Sequence, residues 1–196
     1  EGIKEAVRVG LGPVKIDCVV QKGVNDHTIQ DMARYFKGTG HIVRFIEYMD
    51  VGNRNGWNLK EVVTAQEILA LISDFSPIVA VDKNYIGEVA NRYKYTDGTG
   101  EIGVISSVSD PFCSSCTRAR LSTDGRLVTC LFANSGTDLK VLLRSGLSDS
   151  ELLQVIKKVW GDRKDQYSQL REKNTNWDGY VDNQGLKKIE MYQIGG

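Results

Sequence analysis

Residues 13 to 49 constrain the fold more than any other stretch of this chain. In "PVKIDCVV", residues 13 to 20, Val14, Ile16, Cys18 and Val20 share one face, and Lys15, Asp17 and Val19 share the other. Strict alternation of this kind predicts a strand with one apolar face and one partly polar face. The next segment, "NDHTIQDMARYFKG", carries Ile29, Met32, Ala33 and Phe36 at helical spacing. Asn25 or Asp26 is expected to cap this helix and Gly38 to stop it. "IVRFIEYM", residues 42 to 49, is then an apolar run of strand length. Strand, helix and strand in this order predict parallel pairing through a right-handed crossover. Two or three parallel strands leave open edges and an uncovered face. The chain is therefore expected to pair with something, as a homodimer or as a piece of a longer protein.

Beyond residue 60 the character changes. "TAQEILALISDF" opens on a capping box, Thr64 with Glu67, and has an apolar stripe of Ile68, Leu71, Ile72 and Phe75 before Pro77. "EVANRYKYTDGTGEIGVISSV" predicts two antiparallel strands about a Gly-rich turn at 97 to 100. "TRARLSTDGRLVTCLF" predicts a second hairpin about Asp124-Gly125. Helices are expected in "TDLKVLLRSG" and in "SDSELLQVIKKVWG". The latter has a capping box of Ser148 and Glu151 and a stripe of Leu152, Val155, Ile156 and Val159. Residues 172 to 187 are polar and rich in Asn and Gly, and predict a loop.

The 25 basic and 25 acidic residues balance, which gives no reason to expect a nucleic-acid or membrane partner. No apolar run approaches the length of a membrane span. The first residues lack both an initiator Met and the apolar region of a signal peptide. Four cysteines are too few for a disulfide framework, and a C-x2-C pair reads as metal or redox chemistry in a reducing compartment, here the cytoplasm.

Three of those cysteines, Cys113, Cys116 and Cys130, lie in "DPFCSSCTRARLSTDGRLVTC", residues 110 to 130. Structural zinc would need a fourth ligand from Cys18, His27 or His41. Cys18, on the apolar face of the first strand, reads as packed. A [4Fe–4S] cluster uses one thiolate per iron, so three cysteines would leave one iron open to a small ligand. Three coincidental cysteines, or two arginines on a solvated strand, are the plainer readings. Arg118 and Arg120 share a face if extended, and Arg suits an anionic partner. A three-residue turn, Thr123-Asp124-Gly125 with Gly125 left-handed, would pair Arg118 with Cys130, and is expected. A two-residue turn would pair Ala119 with Cys130 instead. The three thiols are expected to converge even without a bound metal.

"PFCSSCTRARLSTDGRLVTCLF", with "GHIVRFIEYMDVGN", "GEIGVISSVSDPFC" and the terminal "IGG", resembles the GTP 3′,8-cyclase family. These are radical S-adenosylmethionine (SAM) enzymes of molybdenum-cofactor biosynthesis. The similarity runs from about residue 8 to residue 196. It implies an α/β fold: the C-terminal part of an incomplete (βα)6 radical-SAM barrel over 1–82, then an α+β domain over 83–196 with antiparallel strands carrying an Fe-S site and a helical tail. It implies conversion of GTP to (8S)-3′,8-cyclo-7,8-dihydroguanosine 5′-triphosphate. Cys113, Cys116 and Cys130 match ligands of a second [4Fe–4S] cluster, whose open iron binds guanine. Lys15, Arg44, Arg118, Ala119 and Arg120 match GTP contacts, and Met49 matches a SAM contact. Arg44 and Met49 fall on opposite parities of a regular strand, so a bulge or strand end is expected between them. Gly195 and Gly196 match a tail that reaches the active site. The family's first cluster sits on C-x3-C-x2-C, which this sequence lacks. The resemblance therefore implies a missing N-terminal barrel segment as partner, and no SAM cleavage by these residues alone. A zinc-stabilised or electron-transfer module without catalysis is the alternative.

Overall fold

The computed structural model describes residues 1–172 and 188–194, and of Glu172 the backbone only. The chain divides into two units. One is Glu1–Met49 with Asn58–Ser115; the other is Asp50–Trp57 with Cys116–Gly196.

The first unit opens with a short helix, α1 (Gly2–Arg8), which buries no residue. β1 (Lys15–Val20), α2 (Ile29–Phe36) and β2 (Ile42–Glu47) follow, and β1 and β2 pair in parallel as expected. α3 (Ala65–Phe75) leads to β3 (Ile78–Val81), and β4 (Asn91–Tyr95) and β5 (Glu101–Ile105) form the first hairpin. The five strands make one sheet in the order β1-β2-β5-β4-β3. β5 lies parallel to β2 and antiparallel to β4. The division expected at 82/83 falls between β3 and β4 of this sheet.

Alternation decides what this sheet buries. Val20, Val43, Phe45, Ile102 and Val104 form a core with Ile29 and Ala33 of α2 and with Ile68 and Ile72 of α3. Phe45 is fully buried, a burial worth about 1.5–3 kcal/mol. Cys18 packs against this core, as its parity requires. The Thr64–Glu67 capping box is present, and α3 ends at Phe75, with Ser76 extended before Pro77.

Two expectations are corrected. Asn25 and Asp26 do not cap α2. The Asn25 side chain accepts from Gln21 N (2.8 Å) and Asp26 from Gly23 N (2.9 Å), so both close the preceding turn. Short polar side chains compete for nearby backbone in this way. α2 instead follows a 3-10 turn, Asp26–Thr28. Leu71 is exposed, and Leu69 packs against the core in its place.

The second unit has shorter strands. β6 (Arg120–Leu121), β7 (Arg126–Val128) and β8 (Thr137–Asp138) form an antiparallel sheet in that order. Then come α4 (Leu139–Arg144), α5 (Asp149–Gly161) and α6 (Tyr167–Glu172). The Ser148–Glu151 capping box of α5 is present. The loop expected at 172–187 lies outside the described residues, apart from Glu172, which ends α6.

The interior of the second unit is largely polar. Asp50, Arg171 and Lys188 are all buried. Arg171 donates to Asp50 Oδ1 and the Tyr167 hydroxyl donates to Asp50 Oδ2. Lys188 Nζ donates to Asp50 Oδ2 (3.0 Å) and to the Asp50 carbonyl (2.7 Å). Phe132 stacks on Tyr167 at 4.3 Å, and Lys188 Nζ stands 4.7 Å from the Tyr167 ring centre. Burial pushes the Asp50 carboxyl up, but Arg171, Tyr167 and Lys188 outweigh it and hold Asp50 below the usual carboxylate range.

No described helix is long and apolar enough to cross a membrane.

Candidate functional site

The first unit presents a charged row on the sheet face opposite the core. The parallel register sets Asp17 beside Arg44, and Arg44 beside Gly103. Arg44 holds Asp17 through both carboxylate oxygens, at 2.5 and 2.6 Å. A Cβ at Gly103 would stand 3.1 Å from Arg44 Cγ and 3.2 Å from Ala90 Cβ. Glycine there leaves room for the guanidinium stem. The Asp17 carboxylate holds the Arg44 pKa above its ordinary value, against the effect of burial. Lys15, exposed, has the parity of Asp17 and so lies on the same face. Sequence parity had set Lys15 and Asp17 on one face and the family resemblance had named Arg44, but neither paired Asp17 with Arg44. β2 ends at Glu47, which accounts for the parity difference between Arg44 and Met49. Met49 is half-buried just beyond that end.

Glu47 is a buried residue that the apolar run concealed. It accepts hydrogen bonds from Ala65 N (2.6 Å), Val108 N (2.7 Å), Ser109 N (2.8 Å) and the Ser109 hydroxyl. One carboxylate thus joins the end of β2, the first turn of α3 and the loop after β5. That loop continues to Cys113, which opens the 3-10 turn Cys113–Ser115.

The second unit carries a group of thiols and guanidinium groups. β6 and β7 pair Arg120 with Val128 and Leu121 with Leu127. Ser122 N donates to Arg126 O and Gly125 N to Ser122 O, which closes a three-residue turn over 123 to 125. Gly125 has φ +88°, and a Cβ there would meet Lys140 Cβ at 2.7 Å, so only glycine fits. This is the expected turn. The paired strands stop at Arg120 and Val128; the same count, continued by two residues, would set Arg118 and not Ala119 opposite Cys130.

Arg118 Nη2 donates to Cys116 Sγ at 3.5 Å. Burial pushes the Cys116 thiol up, but the Arg118 N–H and guanidinium, with Arg163, outweigh it and hold the thiol below its ordinary value. Burial and Arg118 lower the Arg120 pKa, and Cys116 and Cys130 oppose them. Arg118 and Ala119 are exposed and Arg120 is half-buried. Arg163, just beyond α5, donates to the Cys116 carbonyl at 2.6 Å and to Asp165 at 3.0 Å. No motif flagged Arg163, because its contact is 47 residues away in sequence.

In donor chemistry this group fits an anionic thiolate cluster at two of its three expected ligands. Cys116 and Cys130 act on the same guanidinium, and Arg118 faces Cys116. The third, Cys113, belongs to the first unit. Among the described residues, no three His, Cys, Asp or Glu side chains form a group that could hold a metal ion. Metal binding itself supplies the free energy that draws such ligands together. Gly195 and Gly196 lie outside the described residues.

A mixed sheet with a charged face and a thiol–guanidinium hairpin define a class, and comparison identifies it. Residues 41–169 match the family model Molybdenum Cofactor Synthesis C, and the chain belongs to that family. Over its whole length it is also similar to curated proteins named GTP 3′,8-cyclase. It is 43% identical over 212 residues to that of Acidothermus cellulolyticus, 46% over 195 residues to that of Xanthomonas axonopodis pv. citri, and 48% over 197 residues to that of Staphylococcus epidermidis. The chain spans 59%, 55% and 56% of those relatives' lengths.

Proposed function

We propose that this chain is the substrate-binding part of a GTP 3′,8-cyclase and works with an N-terminal segment of the kind its longer relatives contain. The observation that carries the reading is the thiol–guanidinium group on the β6–β7 hairpin. Cys113, Cys116 and Cys130 would hold a [4Fe–4S] cluster, and an open iron there would supply a Lewis-acid position for the guanine base. Arg118 and Arg120 flank that position with cationic donors, and the Ala119 backbone lies between them. Lys15 and Arg44 take the triphosphate on the sheet face, with Asp17 fixing the Arg44 fork. Met49, two residues beyond β2, contacts SAM. The first cluster, and with it SAM cleavage, belongs to the N-terminal segment, so these 196 residues alone form no deoxyadenosine. On this reading 1–82 belong to the barrel, 83–196 carry the second cluster, and the enzyme works in the cytoplasm.

Holding both ends of the nucleotide is what the chemistry needs, because abstraction from a ribose carbon requires one C–H to be presented at close range. The test is anaerobic reconstitution followed by iron, sulfide and zinc analysis, then GTP titration monitored by the cluster's electron paramagnetic resonance. The expected result is about four irons with matching sulfide and a GTP-dependent spectral change that Arg120→Met weakens. One zinc with no sulfide would overturn the reading in favour of a zinc-stabilised module. A cluster blind to GTP would favour electron transfer.

A further inference from the structure

Loop 50–57 and the C-terminal segment 188–194 are joined by contacts that the proposed roles above do not use. Asn53 behaves like a strand neighbour. Its side chain donates to the Lys188 carbonyl (2.7 Å) and accepts from Lys188 N (3.0 Å). Glu190 Oε1 accepts from Asn53 N (3.2 Å) and from Asn53 Nδ2 (2.9 Å). Gly52 has φ +66°, and a Cβ there would stand 2.4 Å from Glu190 Oε2, so the loop's backbone is shaped to admit that carboxylate. Ile189 N donates to Ala133 O at 2.8 Å, and Ile194 is buried. Beneath these bonds Lys188 is anchored twice on Asp50. A chain terminus frays unless something ties it down, and here both backbone and charge do so.

We infer that Asp50, Asn53 and Gly52 form a clasp that fixes residues 188–194, and with them the point from which Gly195 and Gly196 continue, making Asp50 and Asn53 positioning residues for the cyclase reaction. The inference rests on the reading that the terminal diglycine serves the active site. The clasp loop begins one residue after Met49, which the proposed function gives to SAM. The loop that follows one functional position in sequence therefore holds the segment that leads to another.

The test uses the intact, cluster-loaded cyclase and three variants. Asn53→Asp removes the Nδ2 donor and sets a second carboxylate against Glu190. Adding Glu190→Gln restores a donor across the same contact. Deletion of residues 195–196 tests the underlying reading by itself. For Asn53→Asp, amide hydrogen exchange over 188–194 is expected to rise at least about tenfold, with β1 and β2 amides unchanged. Under these conditions kcat is expected to fall while KM for GTP stays within about twofold, and Glu190→Gln is expected to recover much of both effects. Unchanged exchange over 188–194 would overturn the clasp. Faster exchange with kcat unchanged would overturn its positioning role. If the deletion leaves kcat unchanged, the reading of the diglycine fails and the positioning role fails with it, while the exchange data still decide whether the clasp exists.

Discussion

The two units hold themselves together by different means. In the first, a five-stranded sheet buries aliphatic and aromatic side chains against α2 and α3. In the second, the strands are two or three residues long, and a buried carboxylate is held by two cations and a tyrosine from α6 and the C-terminal segment. Among the described residues, the buried hydrophobic side chains of the second unit are Val128, Phe132, Tyr167 and Ile194. The first unit is stabilised mainly by area removed from water, which tolerates changes of pH and ligand. The second depends on charge compensation and, on the proposed function, on a metal cluster. Its stability is conditional where that of the first is not.

The largest effect should come from the cluster. Cys116→Ala is expected to abolish iron loading and the GTP-dependent spectral change. Chelation of the loaded protein should remove hydrogen-exchange protection from β6–β7 while leaving β1, β2 and β5 protected. Equal loss in both units would break the comparison. Next in size, Phe45→Ala empties a fully buried position and should cost about 3–5 kcal/mol, read by urea unfolding followed at the Ile102 and Val104 amides.

Asp50→Ala leaves two cations buried without their carboxylate and should cost up to about 3–5 kcal/mol, confined to the second unit. The pH dependence has a definite sign. The folded-state pKa of Asp50 is depressed, so its contribution is complete above the ordinary carboxylate range and is lost as pH falls through the folded value. The gap between wild type and Asp50→Ala should therefore close in acid, as urea midpoints at a series of pH values will show.

The smallest effects lie at the β4–β5 turn. Asp97, bonded to Lys37 and Thr99, titrates at about 2, and Tyr95, buried and near Asp97, at about 12. Carboxyl NMR shifts and tyrosinate absorbance check the two values. What Asp97 contributes should be present above its ordinary range and fade as pH falls toward 2. Ordinary values at both positions would show that this turn is looser than the sheet it joins.

The first unit was far more legible in sequence than the second. Alternation in Lys15–Val20 and Ile42–Glu47 announced two strands and their inner faces, because burial on one side of a pleat demands period two. The two capping boxes marked their helices, because an N-terminal turn must satisfy its own amides. The turn at Gly125 followed from a steric requirement. Strands as short as β8 are too brief to show a period, and α6 was likewise unmarked.

What the sequence by itself determined is therefore local: which residues alternate, which cap, which turn demands glycine, and which cysteines and arginines share a segment. Only the tertiary structure decided that Asp17 holds Arg44, that Glu47 ties three segments, that Arg163 reaches the Cys116 carbonyl, and that Asp50 is enclosed by Arg171 and Lys188. The physical reason is that hydrophobic burial imposes a period on neighbouring residues, whereas a buried charge needs only one partner of the right sign within hydrogen-bonding reach. That partner can come from anywhere in the chain.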